Sequence, residues 1–323
     1  MKVARFSESF SKKGFFKKKA LRLIEEQIKV EWYGALALGD FDPERMPGVK
    51  EYGEAFVCDS KMELIKEKTL EAVKTAKIDD FWLEVNRTGN HDFNSMEVAK
   101  TAGKYVEEHK HNAISSGKIV SINIHQKKTI VFVPKKGLGG LPMGLYGKAG
   151  FIWDGSYKSQ LALVKLACRG FKPIVLAFGE GEPLLGEVIK IDQSDADYQA
   201  NHALKGMKGP VMKAWMYLVA SKVRLPFFAT GEVIGSGADD DPDLLYRIEK
   251  FTGLHPVRPI GFLNMSDVRH ESRLLGLEIK ESQKVWKQFK TKALEEEWIS
   301  LEMGEQVNRV KKHLLSKSIA LRE

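Results

Sequence analysis

Apolar residues recur at helical spacing early in the chain. Phe16, Ala20, Leu23, Ile24 and Ile28 share one face, and Lys12, Lys13, Lys17, Lys18, Lys19 and Arg22 lie mostly around it. This predicts a helix over 12–28 with a basic side. Pro43, Pro47, Gly48 and Gly53 mark residues 40–53 as a loop. Ser60-x-x-Glu63 has the form of a capping box, in which the serine side chain accepts from a helix amide and the glutamate reaches back. Met62, Ile65, Thr69, Ala72, Val73 and Ala76 then line one helical face, and 81–87 (Phe-Trp-Leu-Glu-Val-Asn-Arg) reads as a strand. Residues 1–78 therefore read as a small α+β unit.

A second unit follows. The polar loop 88–93 leads to Ser95, which can cap a helix burying Met96, Ala99, Gly103 and Val106. Segments 119–124 and 129–133 are strand-like, and the glycine-rich stretch 137–144 marks a junction. Beyond it the pattern alternates: strand 150–153, helix 158–169, strand 173–178, helix 209–222, strand 226–230. Alternation of this kind implies a parallel sheet with helices on both faces. Residues 281–320 read as mostly helical, long enough to pack on the sheet or against a second subunit, so a homodimer stays open.

Composition adds a sign. The net charge is +8, and residues 1–150 carry 26 Lys+Arg against 20 Asp+Glu, whereas the remainder carries 25 against 23. A basic half suggests a polyanionic partner, because each neutralised phosphate releases counterions; a merely solvated surface is the other reading. No apolar run reaches membrane-spanning length, and the first residues lack the apolar stretch of a secretory signal. The two cysteines, Cys58 and Cys168, form no Cys-x-x-Cys pair and no disulfide framework. A cytoplasmic, reducing location without membrane contact is expected. His109-x-His111 has the wrong spacing for one helical face, and no metal site is expected.

Several segments taken in order resemble tRNA 4-thiouridine synthetases. Arg5-Phe6-Ser7-Glu8 with the Lys-rich helix is similar to that family's opening. Strand 81–87, then Phe93-Asn94-Ser95 and the helix reaching Gly103, resembles a THUMP domain. Gly139-Gly140-Leu141-Pro142-Met143-Gly144 with Gly147-Lys148 resembles the linker into the family's ATPase domain. Thr230-Gly231-Glu232-Val233-Ile234-Gly235 resembles its second nucleotide loop, and Val257-Arg258-Pro259-Ile260 its final strand. The resemblance covers about residues 1–280. It implies α+β N-terminal ferredoxin-like (1–78) and THUMP (79–136) domains and a linker (137–148). An α/β parallel-sheet, Rossmann-like PP-loop ATPase-like domain (149–280) and C-terminal helices (281–323) would follow.

The resemblance also implies tRNA as partner, ATP or AMP with Mg²⁺ as cofactor, and a sulfur-donor or other tRNA-modification protein as a further partner. RNA contacts would come from Lys12, Lys13, Lys17 and Lys18, and from Lys127, Lys128, Lys135 and Lys136, which can track phosphates. Arg87, His91 and Phe93 can hydrogen-bond or stack at an RNA end, or be ordinary exposed residues. The nucleotide would lie against Ile152, Asp154, Gly155, Ser156, Lys158, Ser159, Lys213, Gly231 and Glu232.

This sequence departs from the family where chemistry is expected. The family's Ser-Gly-Gly-x-Asp-Ser loop corresponds to Asp154-Gly155-Ser156-Tyr157-Lys158-Ser159. Ser156 replaces a glycine and can restrict left-handed backbone, and Lys158 reverses the charge of an acid. The acidic run Asp239-Asp240-Asp241 would repel a triphosphate unless it binds Mg²⁺; a solvated loop or helix cap is the plainer reading. Cys168 reads as a small packing residue rather than a sulfur carrier. Two readings remain open: a tRNA-binding protein with an altered nucleotide site that no longer thiolates by itself, and an active ATP-dependent tRNA uridine adenylase or sulfurtransferase using an external sulfur donor.

Overall fold

The structure, a computed structural model, describes residues 1–6, 15–78, 80–109, 117–178, 181–190, 210–221, 223–237 and 240–277. It divides into two units, Met1–Leu145 and Tyr146 onward. Among the described residues no helix is long and apolar enough to cross a membrane. Lys12, Lys13, Asp239, His111 and the helical pattern at 281–320 lie outside the described residues.

In the first unit, alternation along strand β1 (Lys2–Phe6) assigns its two faces. Ala4 and Phe6 pack with Ala37 and Val49 against Ala20 and Ile24 of helix α1 (Phe15–Glu25). Val3 points the other way, into a cluster with Leu36, Leu38, Ile130 and Phe132. The sheet around β1 adds β2 (Val30–Tyr33), β3 (Leu36–Gly39) and β4 (Val49–Glu54). With the short β9 (Lys135–Lys136) its order is β2-β3-β1-β4-β9, antiparallel throughout.

The second sheet has order β5-β8-β7-β6, from β5 (Phe56–Asp59), β6 (Phe81–Arg87), β7 (Lys118–Ile124) and β8 (Lys128–Phe132); β6 and β7 are parallel. Val120, Ile122, Ile124 and Val131 cover one face with helices α2 (Met62–Ala76) and α3 (Ser95–His109). Ile130 and Phe132 on the opposite face meet Val3 and Leu38, so the two sheets share an apolar layer. Arg5 crosses beside that layer. Its guanidinium donates to Glu51 (3.0 Å), Ser121 (2.8 Å) and Asn123 (3.2 Å).

Several expectations change here. Residues 56–76 do not complete a first domain: β5 and α2 belong to the second sheet, because Ile65, Ala72 and Val73 are buried against it. The loop at 40–53 ends at Met46–Gly48, and Val49 begins β4 as the antiparallel neighbour of β1. Ser60 does not cap α2. Its hydroxyl donates to the His125 carbonyl (2.7 Å), and Lys61 occupies the cap position without a side-chain bond. Asn94 takes the capping role expected of Ser95. Its Oδ1 accepts from the Glu97 amide (2.9 Å), and Glu97 accepts in return from the Asn94 amide (2.9 Å). The buried face of α3 is Val98, Ala102 and Val106, which leaves Met96 80% exposed. The glycine-rich stretch is stitched to β4, with Gly137 donating to Lys50 and Gly139 to Val49.

The second unit is a parallel sheet of order β12-β11-β10-β13, from β10 (Lys148–Trp153), β11 (Lys172–Ala177), β12 (Glu187–Lys190) and β13 (Phe228–Thr230). Burial on both faces explains the uninterrupted apolar runs of β10 and β11. Phe151 and Trp153 pack with helix α4 (Tyr157–Cys168) and Val268 of α7 (Met265–Leu274), whereas Ile152 packs with α5 (Pro210–Ser221) and Ile248 of α6 (Pro242–Thr252). The strand expected at 257–260 reduces to one parallel bridge, Ala229 with Val257. Pro256 and Pro259 flank it, and proline has no amide hydrogen to extend a ladder.

The reassigned cap gives a test. Asn94→Ala should lower unfolding free energy by about 1 kcal/mol, while Ser95→Ala should stay within about 0.5 kcal/mol, both read as shifts of the urea midpoint.

Candidate functional site

At the C-terminal edge of β10 the chain turns into α4 through Asp154, Gly155 and Ser156. Gly155 sits at φ +86°, a left-handed conformation that favours glycine. Ser156, by contrast, is extended (φ −79°, ψ 156°), so a serine there meets no backbone strain and the expected restriction does not arise. Its hydroxyl accepts from the Ser159 amide (3.2 Å). Asp154 Oδ1 accepts from the Ser156 amide (2.9 Å) and the Ser159 hydroxyl (2.6 Å). Gly231 leads the facing loop against this turn. A Cβ there would stand 2.5 Å from Ser159 Cα, so only glycine allows the approach.

Lys158, in the first turn of α4, donates to Asp240 Oδ2 at 2.7 Å. Lys213 on α5 donates to Asp240 Oδ1 at 2.9 Å and lies 3.3 Å from Glu232. The Ser236 hydroxyl (2.8 Å) and Val233 amide (3.3 Å) also donate to Asp240 Oδ2. The network continues through Glu232, which accepts from Tyr217 OH (2.6 Å), Thr230 (3.1 Å) and Arg258 Nε (2.7 Å); Arg258 also pairs with Glu249. Asp240 is therefore neither a solvated acid nor part of a metal cluster, because its charge is met by two ammonium groups. Its neighbour Asp241 does cap a helix, accepting from the Leu244 amide at 3.0 Å. Among the described residues no group of three or more His, Cys, Asp or Glu is placed to hold a metal ion.

Burial alone would raise the Asp240 carboxyl, but Lys213 and Lys158 outweigh it and hold the group far below the usual carboxylate range. Burial would likewise lower Lys213, and Glu232 and Asp240 reverse that. Burial, with Glu232 beside it, pushes the Tyr217 phenol up.

All nine residues expected around a nucleotide lie in this unit, and the structure brings Asp154, Gly155, Ser156, Lys158, Ser159, Lys213, Gly231 and Glu232 into one loop cluster. Ile152 is a core residue of β10. The donors that would meet a polyphosphate are satisfied from within: Lys158 and Lys213 by Asp240, and the Ser156 and Ser159 amides by Asp154 and Ser156. A triphosphate does not fit this arrangement as it stands, because the cations and amides that would meet it are already paired. Asp240, Tyr217 and Arg258 were not singled out as nucleotide residues by sequence. Asp240 lies in the acidic run 239–241 and Arg258 in the segment that resembles the final strand, whereas no pattern marks Tyr217.

Neither thiol is activated. Burial pushes Cys58 and Cys168 up to about 11 each. At neutral pH that leaves a thiolate fraction of roughly one in ten thousand.

In the first unit, Lys18, Arg87, Lys127, Lys128, Lys135 and Lys136 are exposed, and Lys17 lies on α1. Lys128 lies 3.6 Å from Glu31 and over the Tyr33 ring. His91 and Phe93 stack on each other at 5.4 Å, and Phe93 also packs on the helical core, so it is partly used by the fold. Sequence missed Lys2 and Lys118. With Lys135, Tyr52 and Glu54 they line a cavity of about 480 Å³ within this unit.

The depressed Asp240 carboxyl sets a sign. Its unfolded counterpart titrates near 4, so its stabilisation is present above about pH 4 and is lost as pH falls further. Asp240→Asn should lower stability at pH 7 by about 3 kcal/mol, because two ammonium groups lose their shared partner. It should also flatten the acid limb of a stability-against-pH curve measured by urea unfolding.

No protein-family model matches the chain. Curated relatives do. A tRNA sulfurtransferase of Colwellia psychrerythraea is 24% identical over 311 residues, covering 81% of this chain and 63% of the relative. One of Shewanella denitrificans is 24% identical, covering 61% and 47%, and a probable tRNA sulfurtransferase of Sulfurisphaera tokodaii is 24% identical, covering 74% and 73%. The chain thus spans about half to two thirds of the length of the first two. Among solved structures, a 4-thiouridine synthetase in complex with RNA and bound ATP superposes with TM-score 0.62 at 17% identity, covering 97% of this chain and 96% of that one. A protein of Pyrococcus horikoshii gives TM-score 0.53 at 18% identity, covering 85% and 99%. At these identities the structural likeness shows the fold alone. In sequence and in the order of its motifs the chain is thus similar to tRNA sulfurtransferases, and in fold to a 4-thiouridine synthetase.

Proposed function

We propose that this protein binds tRNA through its first unit and acts in tRNA modification with a nucleotide site that is altered and does not thiolate by itself. On this reading the first sheet with α1 is a ferredoxin-like domain, the second sheet with α2 and α3 a THUMP domain, and the parallel sheet a PP-loop domain. Support for tRNA comes from relatives named as tRNA sulfurtransferases, from a structural neighbour that is a complex with RNA, and from exposed lysines at 127–136.

One observation carries the choice between binding and catalysis. The Lys158 ammonium, where the family places an acid, is held by Asp240 together with Lys213. The two high thiol pKa values agree with it, since sulfur transfer needs an accessible thiolate. The second reading, an ATP-dependent tRNA uridine adenylase or sulfurtransferase with an external sulfur donor, is favoured by the intact strand–loop–helix turn at Gly155 and the close approach of Gly231.

Filter binding of folded tRNA should give a Kd of about 1 μM or tighter at low salt, with affinity falling steeply between about 50 and 200 mM salt. Lys135→Ala with Lys136→Ala should weaken binding and shallow the log–log salt slope by about 1 to 2. Affinity no better than for unstructured single-stranded RNA would remove the tRNA assignment. For the altered site, calorimetry with Mg-ATP should show no binding tighter than about 1 mM, a free energy near −4 kcal/mol. Micromolar binding would favour the enzyme.

A further inference from the structure

We propose that the Asp240 carboxylate is a built-in occupant of an oxyanion site, standing where the phosphoryl group of a nucleotide or of inorganic pyrophosphate would otherwise bind. This deepens, and rests on, the reading of the loop as an altered nucleotide site.

The donor set around Asp240 is that of a phosphoryl site rather than of an ordinary surface ion pair. Two ammonium groups (2.7 and 2.9 Å), one hydroxyl (2.8 Å) and one backbone amide (3.3 Å) converge on its two oxygens. Cations combined with N–H and O–H donors are how proteins hold oxyanions. The four donors come from three separate stretches: the first turn of α4, the α5 helix, and the loop after β13 that holds Val233 and Ser236. Such convergence on one buried group, itself 3% exposed, is a donor set suited to an anion. Lys158 also lies in the first turn of α4, so its ammonium adds to the positive end of the helix dipole. An external phosphoryl group entering here must displace a carboxylate that satisfies the same donors, and would face its charge if it stayed.

The test uses the full chain, inorganic pyrophosphate as probe, and calorimetry. Asp240→Ala should bind pyrophosphate at least about tenfold more tightly than the unsubstituted chain, and Asp240→Ala with Lys158→Ala should lose that gain. Mg-ATP should show the same gain and adenosine none, which separates phosphoryl recognition from base recognition. Equal pyrophosphate affinity with and without Asp240, or a gain that persists without Lys158, would overturn the proposal. Should Asp240→Ala not fold alone, circular dichroism after dilution from urea gives the answer. Recovery of structure with millimolar pyrophosphate supports the internal anion, and no recovery overturns it. The two failures are distinct. Tight Mg-ATP binding by the unsubstituted chain defeats the altered-site reading, whereas weak binding that Asp240→Ala leaves unchanged defeats only the occupancy.

Discussion

A carboxylate buried as deeply as Asp240 must be met by cations, since an unpaired buried charge is destabilising by several kcal/mol. That requirement organises the second unit. It joins the start of α4 at Lys158, the α5 helix at Lys213 and the loop that begins at Gly231, three stretches far apart in sequence. A second ionic group, Glu232 with Arg258, Tyr217 and Glu249, lies alongside and shares Lys213. Opposite charges are therefore interleaved rather than grouped, and each is within reach of a partner. The parallel sheet supplies the frame, because apolar burial on both its faces fixes where β10 and β13 end and hence where the loops meet.

The first unit is governed by packing instead. Two sheets share one apolar layer of Val3, Leu36, Leu38, Ile130 and Phe132; on their other faces the first carries α1 and the second α2 and α3. Arg5 is the polar counterpart of that layer, reaching from β1 to Ser121 and Asn123 of β7. Long basic side chains are left on the short strand β9 and at the turn before β8, where strand geometry holds their backbone while the ammonium groups stay in water. On the proposed reading these exposed cations would meet the phosphates of a folded RNA.

The contrast between the units bears on function. In the first, the cations at Lys127, Lys135 and Lys136 are exposed to solvent; in the second, Lys158, Lys213 and Arg258 are committed to carboxylates of the same chain. Charge reversal at Lys158 would by itself leave a lysine close to Lys213. Asp240 resolves that repulsion, so the two lysines and the carboxylate form a balanced ionic arrangement. Both thiols are partly buried, and that burial keeps them protonated at neutral pH.

By itself the sequence determined the elements whose pattern is carried by their own residues. Strand 81–87, the buried face of α2, and the succession β10–α4–β11–α5–β13 are legible because periodicity reports which side of an element is dry. Glycine at 155 and 231 marked the turn for the same local reason. Other features depend on partners distant along the chain. Ser60 and Ser95 have the right chemistry for caps, yet Ser60 bonds across to His125 and Asn94 caps α3 instead. The pattern of α2 names its apolar face but not the sheet that covers it. The edge strand β12 and the hairpin β2–β3 are short, and pairing rather than composition defines them. Above all, a run of three acids looks alike whether it faces water, a metal or a lysine. Only the tertiary structure decided that Asp241 caps a helix while Asp240 lies between Lys158 and Lys213, because long-range electrostatics depends on distances that no local pattern encodes.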